Sequence, residues 1–249
     1  MQDNNNNKAL TTDFVAGRNP VLEAIKSGRA ADSLLIAEGI NLPGNIVALA
    51  KKRHITVKEV SPKKLDRLCG NQVHQGVVLM TAAKEYATLD DIFSLAESRN
   101  EQPFILMCDS LTDPHNLGAL IRSGEACGIH GVIIPERNSV GLTATVAKSS
   151  AGAIEYVPVA KVKNLAAAAD ELKKRGVWLY CADMDGKDIR ESDFSGSACI
   201  VVGSEGEGVS RLIKEKCDFT VSIPMKGKIN SLNASVAGAI MMFEASKGR

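Results

Sequence analysis

Apolar runs alternate with polar, glycine-bearing turns along most of this chain, and the apolar period shifts from segment to segment. Asn19-Pro20 predicts a helix start, since Asn19 can cap and Pro20 suits the first turn. Val21, Leu22 and Ile25 give that helix an apolar face. Residues 33–37 read as a short strand. Residues 43–53 read as a helix with Ile46, Val47, Leu49 and Ala50 inward and Lys51, Lys52 and Arg53 at its C-terminal end, where cations suit the helix dipole. Residues 55–60 alternate as a strand, 62–68 form a short helix, and 76–82 another strand. Together 13–82 predict a small α/β unit. The polar stretch 1–12 reads as a disordered tail.

The acidic stretch 83–102, with a short helix at 89–97, reads as a linker. Phe104 to Cys108 is then a continuous apolar run followed by polar residues, which is how a buried parallel strand reads. Strand, loop and helix repeat from there. Strands are predicted at 104–108, 131–134, 176–181, 199–203 and 219–223, with a shorter one at 155–158. Helices are predicted at 116–127, 163–175, 209–216 and 232–246. This alternation over 103–249 predicts a parallel sheet with helices on both faces, and ligands of such sheets bind outside the carboxyl ends of the strands.

Composition narrows the class. With 45% hydrophobic and 24% charged residues the chain is globular, and its net charge of +1 gives no overall pull toward nucleic acid. The charge is uneven, however. Residues 13–82 hold ten Lys and Arg against six Asp and Glu, so the first unit is the better candidate for touching a polyanion. The six cysteines form no CxxC pair and sit mostly in apolar runs, as reduced, buried thiols do; the four histidines lack metal-ligand spacing, so no metal is expected. No apolar run reaches the ~20 residues of a membrane span, and the polar start is no signal peptide. The expected location is the cytoplasm.

Three loops fall at predicted strand ends: 109–123, 201–210 and 223–239. The run Gly203-Ser204-Glu205-Gly206-Glu207-Gly208 joins strand to helix through glycines that let a ligand approach the backbone. It lacks the lysine of a phosphate loop, and its two glutamates would repel phosphate, so a cationic or neutral ligand fits better. Each residue also has a structural reading. Asn116 can be a helix cap, Arg122 can pair with a carboxylate such as Glu125, Ser231 and Asn233 can cap the last helix, and Lys226 and Lys228 can be solvated. The functional reading gains from three polar, glycine-bearing loops at one edge of one sheet.

Taken together, N-x-G-x-x-x-R (Asn116, Gly118, Arg122), G-S-E-G-x-G (203–208) and I-P-M-x-G-x-x-x-S-L-N-x-S (223–235) resemble the three motifs of the SpoU, or TrmH-like, RNA 2′-O-ribose methyltransferases. Ala234 stands where valine is usual. G-R-N-P-V-L-E-A-I (17–25) and H-Q-G-V (74–77) resemble the substrate-binding domain of bacterial members that methylate a guanosine of 23S ribosomal RNA. The resemblance implies an α/β SPOUT fold whose C-terminal segment threads a deep trefoil knot. It implies S-adenosylmethionine held by Gly203, Gly208, Ile223, Met225 and Leu232, and a homodimer whose sites are completed across the interface. It places Arg122, Asn116, Glu205, Ser231 and Asn233 at the reaction centre. Arg18, Lys26, Lys51, Lys52 and Arg53 would be the first unit's RNA contacts. The same chemistry on tRNA, or a non-catalytic RNA-binding assembly factor, are the alternatives.

Overall fold

Two separate sheets organise the computed structural model, which describes residues 13–70, 72–81, 84–228, 231–247 and 249. The expected tail, 1–12, lies outside these. The chain divides into two units between Glu85 and Tyr86.

The first unit runs β1 (Asp13–Ala16), α1 (Arg18–Lys26), β2 (Ala31–Ala37), α2 (Gly44–Lys52), β3 (Thr56–Val60), α3 (Pro62–Cys69) and β4 (Val77–Thr81). The strand order is β1-β4-β2-β3, with β2 parallel to β3 and β4 antiparallel to both its neighbours. Successive side chains of a strand point to opposite faces, and both faces here are covered. Leu34, Ile36, Val77 and Leu79 pack with Val21 and Ile25 of α1 and Ile46 of α2. Leu35, Ala37 and Val78 pack with Leu65 and Cys69 of α3. Strand β1 was not apparent in the sequence; it is four residues long and is held by its ladder to β4. Since β1, β2 and β3 run the same way and each precedes a helix, all three helices begin at one edge of the sheet.

The second unit runs α4 (Leu89–Arg99), β5 (Phe104–Cys108), α5 (Pro114–Ala126), β6 (Gly131–Pro135), α6 (Ala144–Ser149), β7 (Val159–Val162), α7 (Leu165–Lys174), β8 (Trp178–Asp188), β9 (Ala198–Val202), α8 (Arg211–Lys214), β10 (Phe219–Ser222) and α9 (Ala234–Ala245). Its six strands are all parallel, in the order β10-β8-β9-β5-β6-β7. Leu106, Val132, Ile200 and Val202 face α5 and α9 through Leu117, Leu120, Ile121, Met241 and Met242. Ile105, Met107, Ile133, Cys199 and Val201 face α4, α7 and α8 through Ile92, Ala169, Leu172 and Ile213. Both faces are therefore buried, which explains why β5 and β9 read as unbroken apolar runs.

Several expectations need correction. The stretch 83–102 is not merely a linker. Its helix, α4, is capped by Thr88 and buries Ile92 and Ala96 in the core of the second unit. Acidic composition hid this because Asp90 and Asp91 belong to the first turn, where carboxylates suit the helix dipole. The short strand expected at 155–158 lies instead at Val159–Val162. Pro158 cannot donate to a ladder; its carbonyl accepts from Val132 N at 2.9 Å and pairing starts after it. The helix expected at 209–216 shrinks to Arg211–Lys214, because Val209 inserts into the core.

Ile92 gives a direct test of where α4 belongs. It is fully buried, and a side chain on Gly131 of β6 would overlap it. Ile92→Ala is expected to lower stability by about 2–4 kcal/mol in chemical denaturation, whereas a linker position would change by less than about 0.5 kcal/mol.

Candidate functional site

Since all six strands are parallel, the loops after β5, β9 and β10 leave the same edge of the sheet, and β10, β8, β9 and β5 are consecutive there. The glycine loop after β9 folds back on itself. Ser204 N donates to Gly208 O at 3.1 Å and Gly208 N donates to Ser204 O at 3.0 Å, with Glu205, Gly206 and Glu207 at the tip. Gly203 has no alternative at its position, since a Cβ there would overlap the Gly208 carbonyl and the Val209 nitrogen. Gly206 and Gly208 take positive φ of 92° and 69°.

One side chain joins the three loops. Glu205 Oε1 accepts from Asn116 Nδ2 at 2.8 Å and also, at very short range, from Asn233 Nδ2. Asn116 is 5% exposed in the first turn of α5, whose N-cap is Asp113 rather than Asn116. Ser149 of α6 braces that turn by donating to Pro114 O at 3.1 Å, and it fills the space that a side chain on Gly118 would need. Asn233 is the N-cap of α9; its Oδ1 accepts from Ser235 N at 3.0 Å and Val236 N at 3.3 Å. It therefore both caps and reaches Glu205.

Beside these groups lies a cavity of about 680 Å³, within the range of small-molecule sites. Gly203, Glu205, Gly208, Ile223, Met225, Ser231, Leu232 and Asn233 all line it. Ala182, Asp183 and Met184, which the sequence reading missed, line it too. They sit where the β8–β10 pairing slips: Thr220 pairs with Cys181, but Val221 pairs with Lys187. The intervening β8 residues bulge toward the cavity, and nothing in a single sequence marks such a slip. Burial opposes ionisation of Asp183, but the Lys214 ammonium at 2.7 Å and the Asp185 N–H outweigh it and lower its pKa. Asp183, Glu205 and Glu207 give the cavity a negative polar side, and Ile223, Leu232 and Met241 give it an apolar one. Among the described residues that line it there is no Lys, Arg or His. Such a lining suits a ligand with an apolar or aromatic part and a cationic part. Among the described residues no cluster of His, Cys, Asp or Glu has the makings of a metal site, and no helix is long and apolar enough to cross a membrane.

Arg122 is the exception among the expected reaction-centre residues: Asn116 also does not line the cavity but bonds Glu205, and Arg122 does neither. It lies about two turns into α5 and does not line the cavity. Its side chain is exposed and makes no hydrogen bond or ion pair with any described residue, Glu125 included. Near it in the fold, α9 packs on α5 yet leaves Val236, Ile240 and Phe243 exposed at i, i+4, i+7 spacing, while Met241, Met242 and Ala245 face the core. Helix α9 thus carries two apolar faces, only one of which is covered within the chain.

In the first unit the expected contacts separate. Arg18 stands in the first turn of α1, where its backbone N–H donates to Gln75 Oε1 at 2.9 Å. Lys26, Lys51 and Lys52 stand in the last turns of α1 and α2, with Lys26 paired to Glu23. Arg53 donates to Lys26 O at 3.0 Å.

An α/β sheet whose glycine loop shares one carboxylate with two asparagines at helix starts, beside an anionic cavity, defines a small-ligand site and not a phosphate-loop one. Comparison with known proteins makes the class specific. Residues 103–243 match the SpoU rRNA Methylase family, and residues 14–87 match the domain described as RNA 2'-O ribose methyltransferase substrate binding. The chain belongs to the SpoU family of RNA methyltransferases. A protein of Bacillus subtilis (strain 168) named for the TrmH family of tRNA/rRNA methyltransferases is 49% identical over 240 residues, covering 95% of this chain and 96% of its own. A Staphylococcus aureus (strain MSSA476) protein named for the same family is 46% identical over 238 residues, covering 94% and 96%. Among solved structures, the SpoU methyltransferase AviRb from Streptomyces viridochromogenes, in complex with AdoMet, aligns with a TM-score of 0.79. It is 27% identical, over 95% of this chain and 89% of that one. An rRNA methyltransferase from Sinorhizobium meliloti, 24% identical with a TM-score of 0.78 over 96% and 88%, bears on the fold alone. S-adenosylmethionine is the cofactor of the family, and the cavity's lining fits it: Asp183, Glu205 and Glu207 would suit its sulfonium and ammonium, and Ile223, Leu232 and Met241 would suit its adenine.

The double duty of Asn233 can be separated. Asn233→Ser keeps a capping oxygen but loses the amide that reaches Glu205, so it should hold stability within about 0.5 kcal/mol and still weaken the site. Asn233→Ala should cost about 1 kcal/mol as well. Denaturation midpoints and S-adenosylmethionine titrations of the two variants check both halves.

Proposed function

We propose that this RNA 2′-O-ribose methyltransferase modifies a guanosine of 23S ribosomal RNA, in the cytoplasm, as a homodimer. The observation that carries the reading is the Asn116–Glu205–Asn233 junction beside the anionic cavity. When bound, S-adenosylmethionine supplies the electrophilic methyl group for in-line transfer to a ribose 2′-oxygen. Glu205, fixed by two amides, orients the reacting groups, while Asn116, Ser231 and Asn233 shape the pocket. A guanidinium is not a free base. Arg122 instead grips the phosphate next to the target ribose and stabilises negative charge developing on the 2′-oxygen, and that phosphate takes the hydroxyl proton as the thioether leaves.

In this reading Arg122 serves the cavity of a second copy. Its freedom from partners and the uncovered stripe of Val236, Ile240 and Phe243 support that arrangement. Such an interface is two-fold and self-complementary.

On the first unit, the RNA contact is read onto the edge where α1, α2 and α3 begin. No side chain of the N-caps Gly17, Pro43 and Ser61 makes a capping bond, and none of these helices has an acidic first turn. Five of the six helices of the second unit are capped by a side chain: those of Thr88, Asp113, Thr143, Asn164 and Asn233. Arg18, Lys63 and Lys64 stand in first turns, where the helix dipole disfavours cations, so stability alone does not account for them. Lys26, Lys51 and Lys52 stand where the dipole favours cations, and Arg53 is bonded to a carbonyl, so these four have a structural explanation. The presence of the first unit as an appended substrate-binding domain favours rRNA in this reading, with tRNA as the second.

Incubation with labelled S-adenosylmethionine and total RNA, followed by mapping of the ribose-methylated nucleotide, tests the substrate. Label in a 23S guanosine is the expected result; label in tRNA, or none, would overturn it. Mixing Arg122→Ala with Gly203→Val, each inactive alone, should restore about a quarter of wild-type activity if sites are shared between copies, and nothing if they are not. Lys63→Glu/Lys64→Glu should lower the salt dependence of RNA binding by about two slope units, and Lys51→Glu/Lys52→Glu should change it little.

A further inference from the structure

Asp109 is a charged side chain that the chemistry above does not use. It follows β5 directly and is 5% exposed. Its Oδ2 accepts from Ser210 N at 2.8 Å, and its Oδ1 accepts from Ser110 Oγ at 3.1 Å. Its own N–H donates to Val202 O at 2.8 Å, so it sits beside the residue from which the glycine loop departs. The neighbouring Cys108 stays a neutral thiol, since burial, reinforced by the Asp109 charge, pushes its pKa up to about 12. A buried carboxylate is costly unless its hydrogen bonds are needed where they are.

Those bonds hold one place in particular. The glycine loop is fixed at its entry by the β9 ladder and closed on itself by the Ser204–Gly208 pair. Its exit leads into α8, which is only four residues long and whose N-cap, Ser210, makes no side-chain capping bond. Val209 is buried, but an apolar contact does not set a direction as a hydrogen bond does. The bond from Ser210 N to Asp109 therefore fixes the plane of the loop, and with it the position of Glu205 relative to Asn116 and of the cavity wall.

We propose that Asp109 is a positioning residue for the cofactor loop: it ties the start of α8 to the end of β5 and thereby preorganises residues 203–208 for S-adenosylmethionine. This rests on the reading of the cavity as the cofactor site. It also separates two roles a buried acid can have. A hydrogen-bond acceptor can be replaced by an amide, since the Asn oxygen can accept from Ser210 N while its nitrogen donates to Ser110 Oγ. A required charge cannot.

The test compares Asp109→Asn and Asp109→Ala in the full chain, well below their melting temperatures. S-adenosylmethionine affinity is measured by calorimetry, and amide hydrogen exchange is followed without ligand. Asp109→Ala should bind about tenfold more weakly, the scale of a lost hydrogen bond to a charged group. Its amides from Gly206 to Ser210 should exchange faster while β5 and β9 keep their protection. Asp109→Asn should bind within about twofold of wild type. The proposal is overturned if Asp109→Ala binds normally, if β5 and β9 lose protection together with the loop, or if Asp109→Asn is as impaired as Asp109→Ala. If the wild-type chain itself fails to bind S-adenosylmethionine, the cofactor reading fails instead, and the exchange data still decide whether Asp109 holds the loop.

Discussion

A single carboxylate oxygen, Glu205 Oε1, takes amide hydrogens from two asparagines that stand 117 residues apart in sequence numbering, Asn116 and Asn233. Every other feature of the site is arranged around making that convergence possible. An asparagine amide has no charge to spend, so its position must be fixed by what surrounds it. For Asn116 this is a capped first turn pressed on by Ser149. For Asn233 it is the start of a helix that it caps itself. Glu205, at the tip of a glycine turn, has no such packing and is exposed. The two amides order it, and the backbone hydrogen bonds at Ser204, Gly208 and Ser210 order the turn beneath it.

This division of labour follows from the sheet. Parallel strands buried on both faces leave side chains little room for chemistry along their length, so the polar groups gather where the strands end. The close packing that supports the loops depends on small residues. Gly118, Gly124 and Gly238 sit where α5 meets α6, the β6 approach and α9, and a side chain at any of them would overlap a neighbour. The same economy leaves α9 with one apolar face spent on the core and another facing outward.

Much of this was legible beforehand. Unbroken apolar runs at β5 and β9 announced a doubly covered parallel sheet, and the three glycine- and asparagine-bearing loops do converge beside one cavity. The misses have physical causes. Pro158 displaced β7 by removing a donor. The acids of α4 marked a helix start rather than a solvated connection, and its burial signal lay in Ile92 and Ala96, with Leu89 and Phe93 packed beside them. Asp183 reaches the cavity through a slip in β8–β10 pairing, which is a relation between two strands, not a property of either. Asp109 read as the first residue of a loop, since its value comes from a backbone N–H 101 positions later. Arg122 was named from the resemblance alone, and among the described residues it makes no hydrogen bond or ion pair.

The apolar cores of the two units share no residue: one is built from positions up to 79, the other from positions 92 onward. Among the described residues, each unit thus encloses its own buried side chains. The segment matched to a substrate-binding domain and the segment matched to a methylase therefore each own a separate set of interior side chains.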